Sequence, residues 1–152
     1  MIYNVVLNSN LRVAGTTTSN AGYYFDWAVL KDGQYKLTWT FVSATCNLAA
    51  YGAIPMVEIN LGQAKAFRID PTNVQTATSN IVGIVVPNVL AAASFLAADL
   101  TTNSPVFLAH RPNNNAFSVR IMTNALVPVD FTDNAAAALP SYVLTLSFEL
   151  VE

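Results

Sequence analysis

The sequence predicts an all-β, single-domain fold, and three observations support that prediction. Large apolar side chains alternate with polar ones along residues 35–41, which is the pattern of a strand with one buried face. The same alternation returns along residues 142–150. Turn-forming residues separate further short apolar runs between these two, and a length of 152 residues fits one domain spanning 1–152.

The first third of the chain predicts two strands separated by a loop, followed by a hairpin. Residues 2–7 form the first strand candidate, whereas the Gly, Thr, Ser and Asn of residues 15–22 compete with regular structure and predict an exposed loop. Residues 23–30 form the next strand candidate. The Asp32-Gly33 dipeptide joins it to the alternating run that follows, because glycine tolerates the positive φ of a tight hairpin turn.

The middle of the chain predicts further strands of different character. Residues 54–61 alternate, and this strand begins after Pro55 or lies at an edge, since proline donates no ladder hydrogen bond. Residues 66–69 predict a short strand, and residues 73–80 predict a loop. Residues 81–86 are apolar without alternation, which indicates a strand covered on both faces.

The segment at residues 89–100 fits two structures equally well. Its Leu and Ala residues favour a helix that Asn88 could cap, whereas Ser94-Phe95-Leu96 could open another strand. Three later strands are expected at residues 105–109, 117–122 and 142–151. The first and last strands are both long and apolar, so we expect them to pair in one sheet. The total of about eight to ten strands favours a sandwich or small barrel.

The composition combines high hydrophobicity with few charges. Hydrophobic residues make up 53% of the chain and charged residues 11%, whereas about 25% is usual for a soluble domain. We therefore expect partners to cover part of the apolar surface. Seven scattered Lys and Arg residues and a net charge of −2 disfavour nucleic-acid binding through phosphate neutralisation.

The reactive side chains are too few to indicate an enzyme. Cys46 is the only cysteine, which leaves no internal disulfide and favours a small buried side chain near a strand end. His110 is the only histidine, and no nucleophile motif accompanies it, so a structural or surface role is expected. Glu58 could pair with an aspartate for glycoside hydrolysis, but any such pair is an arbitrary choice. We expect no catalytic residues and no cofactor.

Aspartates are the only candidates for a metal site, because hard cations take oxygen ligands. The candidates for calcium are Asp70, Asp99, Asp130 and Asp133. No acidic loop of the required density contains them, and Asp residues are common in turns for local hydrogen-bonding reasons. The sequence therefore favours turn-forming aspartates over a metal site.

Aromatic residues offer an alternative function. Trp27 and Tyr51 could form a platform on which sugar rings stack, which would make the protein a lectin-like, carbohydrate-binding β-sandwich. Strand aromatics more often lie in a core, and the apolar residues 28–30 that follow Trp27 favour packing.

Three features together resemble a known family. They are the Tyr-Phe-Asp-Trp run at residues 24–27, the Asp32-Gly33 turn into a long amphipathic strand, and the closing Ser-Tyr-Val-Leu-Thr-Leu-Ser-Phe-Glu-Leu strand at residues 141–150. The chain thereby resembles the single jelly-roll structural proteins of double-stranded DNA viruses, which serve as pentons, minor capsid proteins or cement subunits. The resemblance implies a jelly-roll β-sandwich of about eight strands, no catalytic residues, and a place in the virion after synthesis in the host cytoplasm.

The resulting hypothesis is a non-enzymatic virion component that self-associates as a trimer or pentamer and packs against other capsid proteins. No direct nucleic-acid contact is expected, and the apolar stretch at residues 89–98 is too short to cross a bilayer as a helix. The residues expected at the subunit interface are Ile81, Val82, Ile84, Val86, Leu90, Phe95 and Leu96. Besides the lectin-like reading, a trimeric ligand domain of the tumour-necrosis or complement-like type stays an alternative.

Overall fold

The computed structural model describes residues 1–17, 19–49, 54–62, 66–69, 76–123, 128–129, 131 and 141–151, and these form an all-β, β-sandwich-like architecture. Two single 3-10 turns, Ser9–Leu11 and Trp27–Val29, are the helical segments in this part of the chain. The strands of the described residues are β1 (Ile2–Asn8), β2 (Ala14–Thr17), β3 (Asn20–Tyr24), β4 (Gln34–Ser43), β5 (Met56–Ile59), β6 (Ala66–Ile69), β7 (Thr76–Ser79), β8 (Ile81–Ile84), β9 (Val86–Pro87), β10 (Leu96–Ala98), β11 (Val106–Leu108), β12 (Ala116–Met122) and β13 (Tyr142–Val151).

The strands form two antiparallel sheets and a separate ribbon. Sheet 1 has the order β1-β13-β4-β10-β9, and β11 also pairs with β4. Sheet 2 has the order β2-β3-β12-β5-β8, and the ribbon pairs β6 with β7. The prediction that the first and last strands pair is confirmed, because β1 lies against β13 in register from Ile2–Glu149 to Asn8–Val143.

The central strands of sheet 1 follow the predicted alternation. Tyr35, Leu37, Trp39 and Phe41 of β4 are buried, and the residues between them are not. The buried residues of β13 are Tyr142, Leu144, Leu146 and Phe148. Ten register pairs join these two strands, so their buried faces form one continuous apolar surface.

One hydrophobic core lies between the two sheets. Phe117, on β12 of sheet 2, and Phe148, on β13 of sheet 1, each have their ring centre 5.3 Å from that of Trp27. The hydroxyl oxygens of Tyr23 and Tyr142, one from each sheet, are 2.8 Å apart. Aromatic contacts and a buried hydrogen bond therefore tie the sheets together.

The predicted hairpin across Asp32-Gly33 is wrong. Its first strand ends at Tyr24, where the Asp26 carboxylate accepts a hydrogen bond from the backbone N–H of Ala28 (3.0 Å) and starts a 3-10 turn. β3 belongs to sheet 2 and β4 to sheet 1, so the chain crosses between sheets here. The φ of +150° at Gly33 also differs from the value near +55° that a tight hairpin turn needs.

Two predicted loops contain strands. Part of residues 15–22 forms a hairpin of β2 and β3, and part of residues 73–80 forms β7, which pairs with β6. Both segments are rich in threonine, which a strand accepts when it finds a partner. In β3 that partner is β12, which pairs with it over five positions and lies about 100 residues away along the chain.

The apolar run at residues 81–86 is not covered on both faces as predicted. It divides into β8 at the edge of sheet 2 and β9 at the edge of sheet 1, with Val85 buried between them. Ile84 and Val86 are 37% and 47% exposed. The missing alternation thus reflects a crossing from one sheet to the other.

The ambiguous segment at residues 89–100 is a strand where it is regular. Turns and bends lead from Asn88 to β10, and no helix forms there. The strands predicted at residues 54–61, 66–69, 105–109 and 117–122 are confirmed. The second has the predicted bounds, and the others are shorter or begin one residue earlier. The first begins directly after Pro55.

Candidate subunit interface

An exposed, mainly apolar concavity lies on the outer face of sheet 1. It is an open groove of about 530 Å³ at the end of the sheet where β9 and β10 pair. We call it the β9–β10 groove, and its lining consists of Phe41, Val42, Val86, Pro87, Asn88, Phe95, Ala97, Ala98, Asp99 and Thr102. Three of its large apolar side chains are about half exposed or more: Val42 at 63%, Phe95 at 53% and Val86 at 47%.

Strand register places these side chains next to one another. Val42 of β4 is opposite Ala97 of β10, and Ala97 is opposite Val86 of β9. Val143 of β13 extends the row on the far side of Val42. Neighbouring residues in one row of a sheet face have Cβ atoms about 5 Å apart, so the four side chains form a continuous apolar strip.

Short-range hydrogen bonds fix the turn that carries Phe95. The Asn88 side chain accepts from the backbone N–H of Phe95 at 2.7 Å, and the Ser94 hydroxyl donates to the carbonyl of Ala91 at 2.9 Å. Backbone bonds of 2.8 and 2.9 Å join Cys46 and Ser94 in both directions. These bonds fix the backbone on both sides of Phe95, whose side chain is exposed.

The seven predicted interface residues lie in different parts of the structure, some at the surface and some in the core. Val86 and Phe95 lie in the groove, and Leu90 is 51% exposed in the preceding turn. Ile84 is exposed and Ile81 half-buried on β8, in the other sheet. The remaining two, Val82 and Leu96, are 4% and 1% exposed within the single chain, so their burial needs no neighbouring subunit.

Val42 and Ala97 were missed by the sequence reasoning, although a signal for Val42 exists. It occupies the face of β4 on which Lys36, Thr38 and Thr40 precede it, so a polar residue was expected there. One such residue alone is ordinary on a protein surface, so this signal becomes informative only through the register that places Ala97 and Val86 beside Val42. Ala97 carries no comparable signal.

Asp99 is the charged residue in the groove, and its carboxylate is engaged locally. Its Oδ1 accepts from the Thr101 hydroxyl at 2.6 Å, from the Thr101 backbone N–H at 2.8 Å and from the Thr102 hydroxyl at 3.1 Å. The bond from the Thr101 hydroxyl is the main reason why the pKa of this carboxyl is lowered. Asp99 thus acts as a turn residue, as the sequence favoured.

The other calcium candidates, Asp70, Asp130 and Asp133, lie outside the described residues. Among the residues with described positions, no three His, Cys, Asp or Glu side chains are grouped to hold a metal ion. Glu58 forms an ion pair with Arg120 at 3.2 Å. His110 is exposed, with its Nδ1 2.7 Å from the carbonyl of Arg111, and Cys46 is buried as predicted.

Trp27 is not available as a sugar platform. Its side chain is 1% exposed, and its indole N–H donates to the carbonyl of Asn114 at 2.9 Å. Phe25, Phe117 and Phe148 surround the indole ring. Tyr51, the other predicted member of the platform, lies outside the described residues.

Comparison with known proteins gives this chain no relative. No protein-family model, no curated protein and no solved structure matches it. Within the described residues, no helix has the length and apolar character needed to span a membrane.

Proposed function

We propose that this protein is a non-enzymatic structural subunit of a virus particle, with a jelly-roll fold, which self-associates and packs against other capsid proteins. The carrying observation is the β9–β10 groove, where Val42, Val86 and Phe95 form an exposed apolar surface on a chain with few charges. Exposed patches of this kind mark sites of protein association.

The order of the strands supports the jelly-roll assignment. If β2 is taken as a side branch of β3, and β10 and β11 as one position beside β4, eight strand positions remain outside the ribbon and the short β9. Numbered one to eight along the chain, these positions lie side by side in sheet 1 in the order 1-8-3-6 and in sheet 2 in the order 2-7-4-5. Two four-stranded sheets that interleave in this way characterise the jelly roll, which is common in viral capsid proteins and also in lectins and cupins.

The groove favours the structural role over the other functions of this fold. Fold alone does not assign function, whereas the side chains of a site can. In a sugar-binding site we expect hydrogen-bonding side chains beside an aromatic platform, but most of the groove lining is apolar, and Phe95 is its one exposed ring because Phe41 is buried. The groove carboxylate is bonded to its own turn. Apolar side chains with few charges suit a protein interface, because a buried unpaired charge is costly.

The concave shape of the groove bears on the symmetry of the assembly. A concave surface does not complement its own copy across a two-fold axis, so contact with a different surface of the next subunit is expected. Contacts of that type close into rings when the rotation allows. This agrees with the proposed trimer or pentamer.

The mass of the protein in solution tests the role of the groove. We expect a closed oligomer for the unmodified protein, and a smaller species for Phe95→Asp, which would place a charge against apolar neighbours. Phe107→Asp is the matched control, because Phe107 is 70% exposed on the same sheet but lies on β11, outside the groove lining. Light scattering that finds a monomer for the unmodified protein, or equal effects of the two variants, would contradict the proposal.

A second measurement tests the virion role itself. Mass spectrometry of purified virus particles should detect peptides of this chain at a copy number that is a multiple of the ring size. Particles that assemble fully without this protein, from a genome in which its coding region is deleted, would contradict a structural role.

A further inference from the structure

The edge of sheet 1 formed by β1 is open to strand pairing. Among the described strands, β1 is the terminal strand of the sheet and pairs only with β13, over seven unbroken register positions. Its sequence, Ile-Tyr-Asn-Val-Val-Leu-Asn, contains no charge, no proline and no glycine. A long, regular and neutral edge strand of this kind is a template for another strand, which natural proteins usually prevent.

The other edges of the two sheets carry the features that prevent such pairing. β9 has two residues, one of them Pro87, and β11, which pairs with β4 as β10 does, has three. In sheet 2, the register of β2 shifts against β3, and that of β8 shifts against β5. At β8 the side chain of Asn103 also bonds both the N–H and the carbonyl of Ile84, each at 2.9 Å. β1 is thus the exception among these edges.

The hydrogen-bond pattern identifies which backbone groups face away from the sheet. The backbone N–H of Leu150 donates to the carbonyl of Met1 at 3.0 Å, so residue 1 forms a hydrogen-bonded pair with β13. Such pairs alternate along an antiparallel ladder. The N–H and C=O groups of residues 2, 4 and 6 and the N–H of residue 8 therefore point outward, away from the described strands of the sheet, whereas the C=O of Asn8 begins the 3-10 turn Ser9–Leu11.

We propose that this edge pairs antiparallel with β1 of a second copy, across a two-fold axis at Val5. In that register Asn4 faces Val6 of the second copy, so the outward N–H and C=O groups of residues 4 and 6 pair in both directions. Ile2 faces Asn8, which contributes its N–H. Each exposed apolar side chain then lies beside an amide, and no charges of like sign meet. The strand complements its own copy, which is why a second copy is favoured over a foreign segment.

This contact does not depend on the virion role and differs in symmetry from the ring contact at the groove. A two-fold contact uses the same surface of both copies, so it joins two subunits or two rings. The assembly therefore contains an even number of chains, and loss of the contact halves the mass of the assembly.

Val6→Pro tests the contact and Val6→Thr is the matched control. Proline at this outward-pointing position removes one N–H from the edge without removing a bond to β13, and threonine keeps the N–H while it removes apolar surface. We expect Val6→Pro to halve the mass measured by light scattering and Val6→Thr to leave it unchanged. Circular dichroism establishes that both variants keep the β-sheet signal. A folded Val6→Pro protein that keeps the full mass, or a Val6→Thr protein that loses it, overturns the proposal.

Disulfide trapping tests the register without proline. Asn4→Cys and Val6→Cys proteins, mixed and oxidised, should yield a cross-linked mixed dimer, because positions 4 and 6 are opposite one another. Each variant oxidised alone should yield far less, and the native Cys46 is buried. If no mixed dimer forms, the proposed pairing is wrong. It is also wrong if Val6→Cys in a lysate becomes cross-linked to a foreign protein and not to a second copy. Phe95→Asp should leave the mixed dimer intact, which separates this contact from the groove.

Discussion

Removal of either hydroxyl of the Tyr23–Tyr142 pair should destabilise the protein, and removal of both should cost less than the two single changes added together. Their oxygens are 2.8 Å apart in the core, one from each sheet. In a single Tyr→Phe variant the remaining hydroxyl is buried without its partner, at a cost of about 1–3 kcal/mol. In the double variant neither hydroxyl is left without a partner. We therefore expect the two single variants together to lose about 1–2 kcal/mol more free energy of unfolding than the double variant does.

Urea unfolding of the four proteins measures this coupling. Phenylalanine keeps the ring contacts, including the stacking of Tyr142 on Phe41 with ring centres 5.3 Å apart, so the cycle isolates the hydroxyls. In a chain of this size, each 1 kcal/mol lowers Tm by about 2–4 °C. Tyr35→Phe is the control, because its hydroxyl donates to the carbonyl of Lys31 and its loss should add to that of Tyr23→Phe. Losses that add within about 0.5 kcal/mol for Tyr23 and Tyr142 would refute the argument.

Three further predictions concern the core and its ionisation. Trp27→Ala should cost about 3–5 kcal/mol in urea unfolding, because the indole is enclosed by aromatic rings, and a loss below about 1 kcal/mol would contradict that packing. Gly83→Ala should lower Tm, since φ is +156° and a Cβ would meet the Asn103 side chain, and strain of this kind costs about 1–3 kcal/mol; an unchanged Tm would argue against it. Burial raises the pKa of Tyr23 and of Tyr142, so the unfolded chain loses these protons first and stability falls as pH rises above about 10. Urea midpoints from about pH 8 to about pH 11 measure the fall, and the double Phe variant should flatten it.

The sequence predicted the strands that lie in a single sheet and have one face buried in the core. Alternation located β4, β12 and β13, since each has one face toward the core and its period of two is visible without knowledge of the partner. The lack of alternation was misleading at residues 81–86, because this run passes from β8 in sheet 2 to β9 in sheet 1. Alternation also missed β2 and β7, because polar, threonine-rich strands depend on pairing that local sequence does not encode.

The candidate site was predicted only in part for a related reason. Val86 and Phe95 were selected because they lie in apolar runs, and both are in the groove. The same runs also contain Val82 and Leu96, which point into the core. Composition identifies apolar residues, but the direction in which each side chain points depends on where one sheet gives way to the other.

The place of β13 in sheet 1 has a consequence for how the protein is made. It lies between β1 and β4, so an inner strand of this sheet is formed by residues 142–151, which a ribosome adds only after both of its neighbours. Until then β1 and β4 each lack their main neighbour, and closing the gap joins segments that are about a hundred residues or more apart. Folding that waits for such distant contacts is slow, so the newly made chain is expected to need chaperone protection until synthesis has reached this strand.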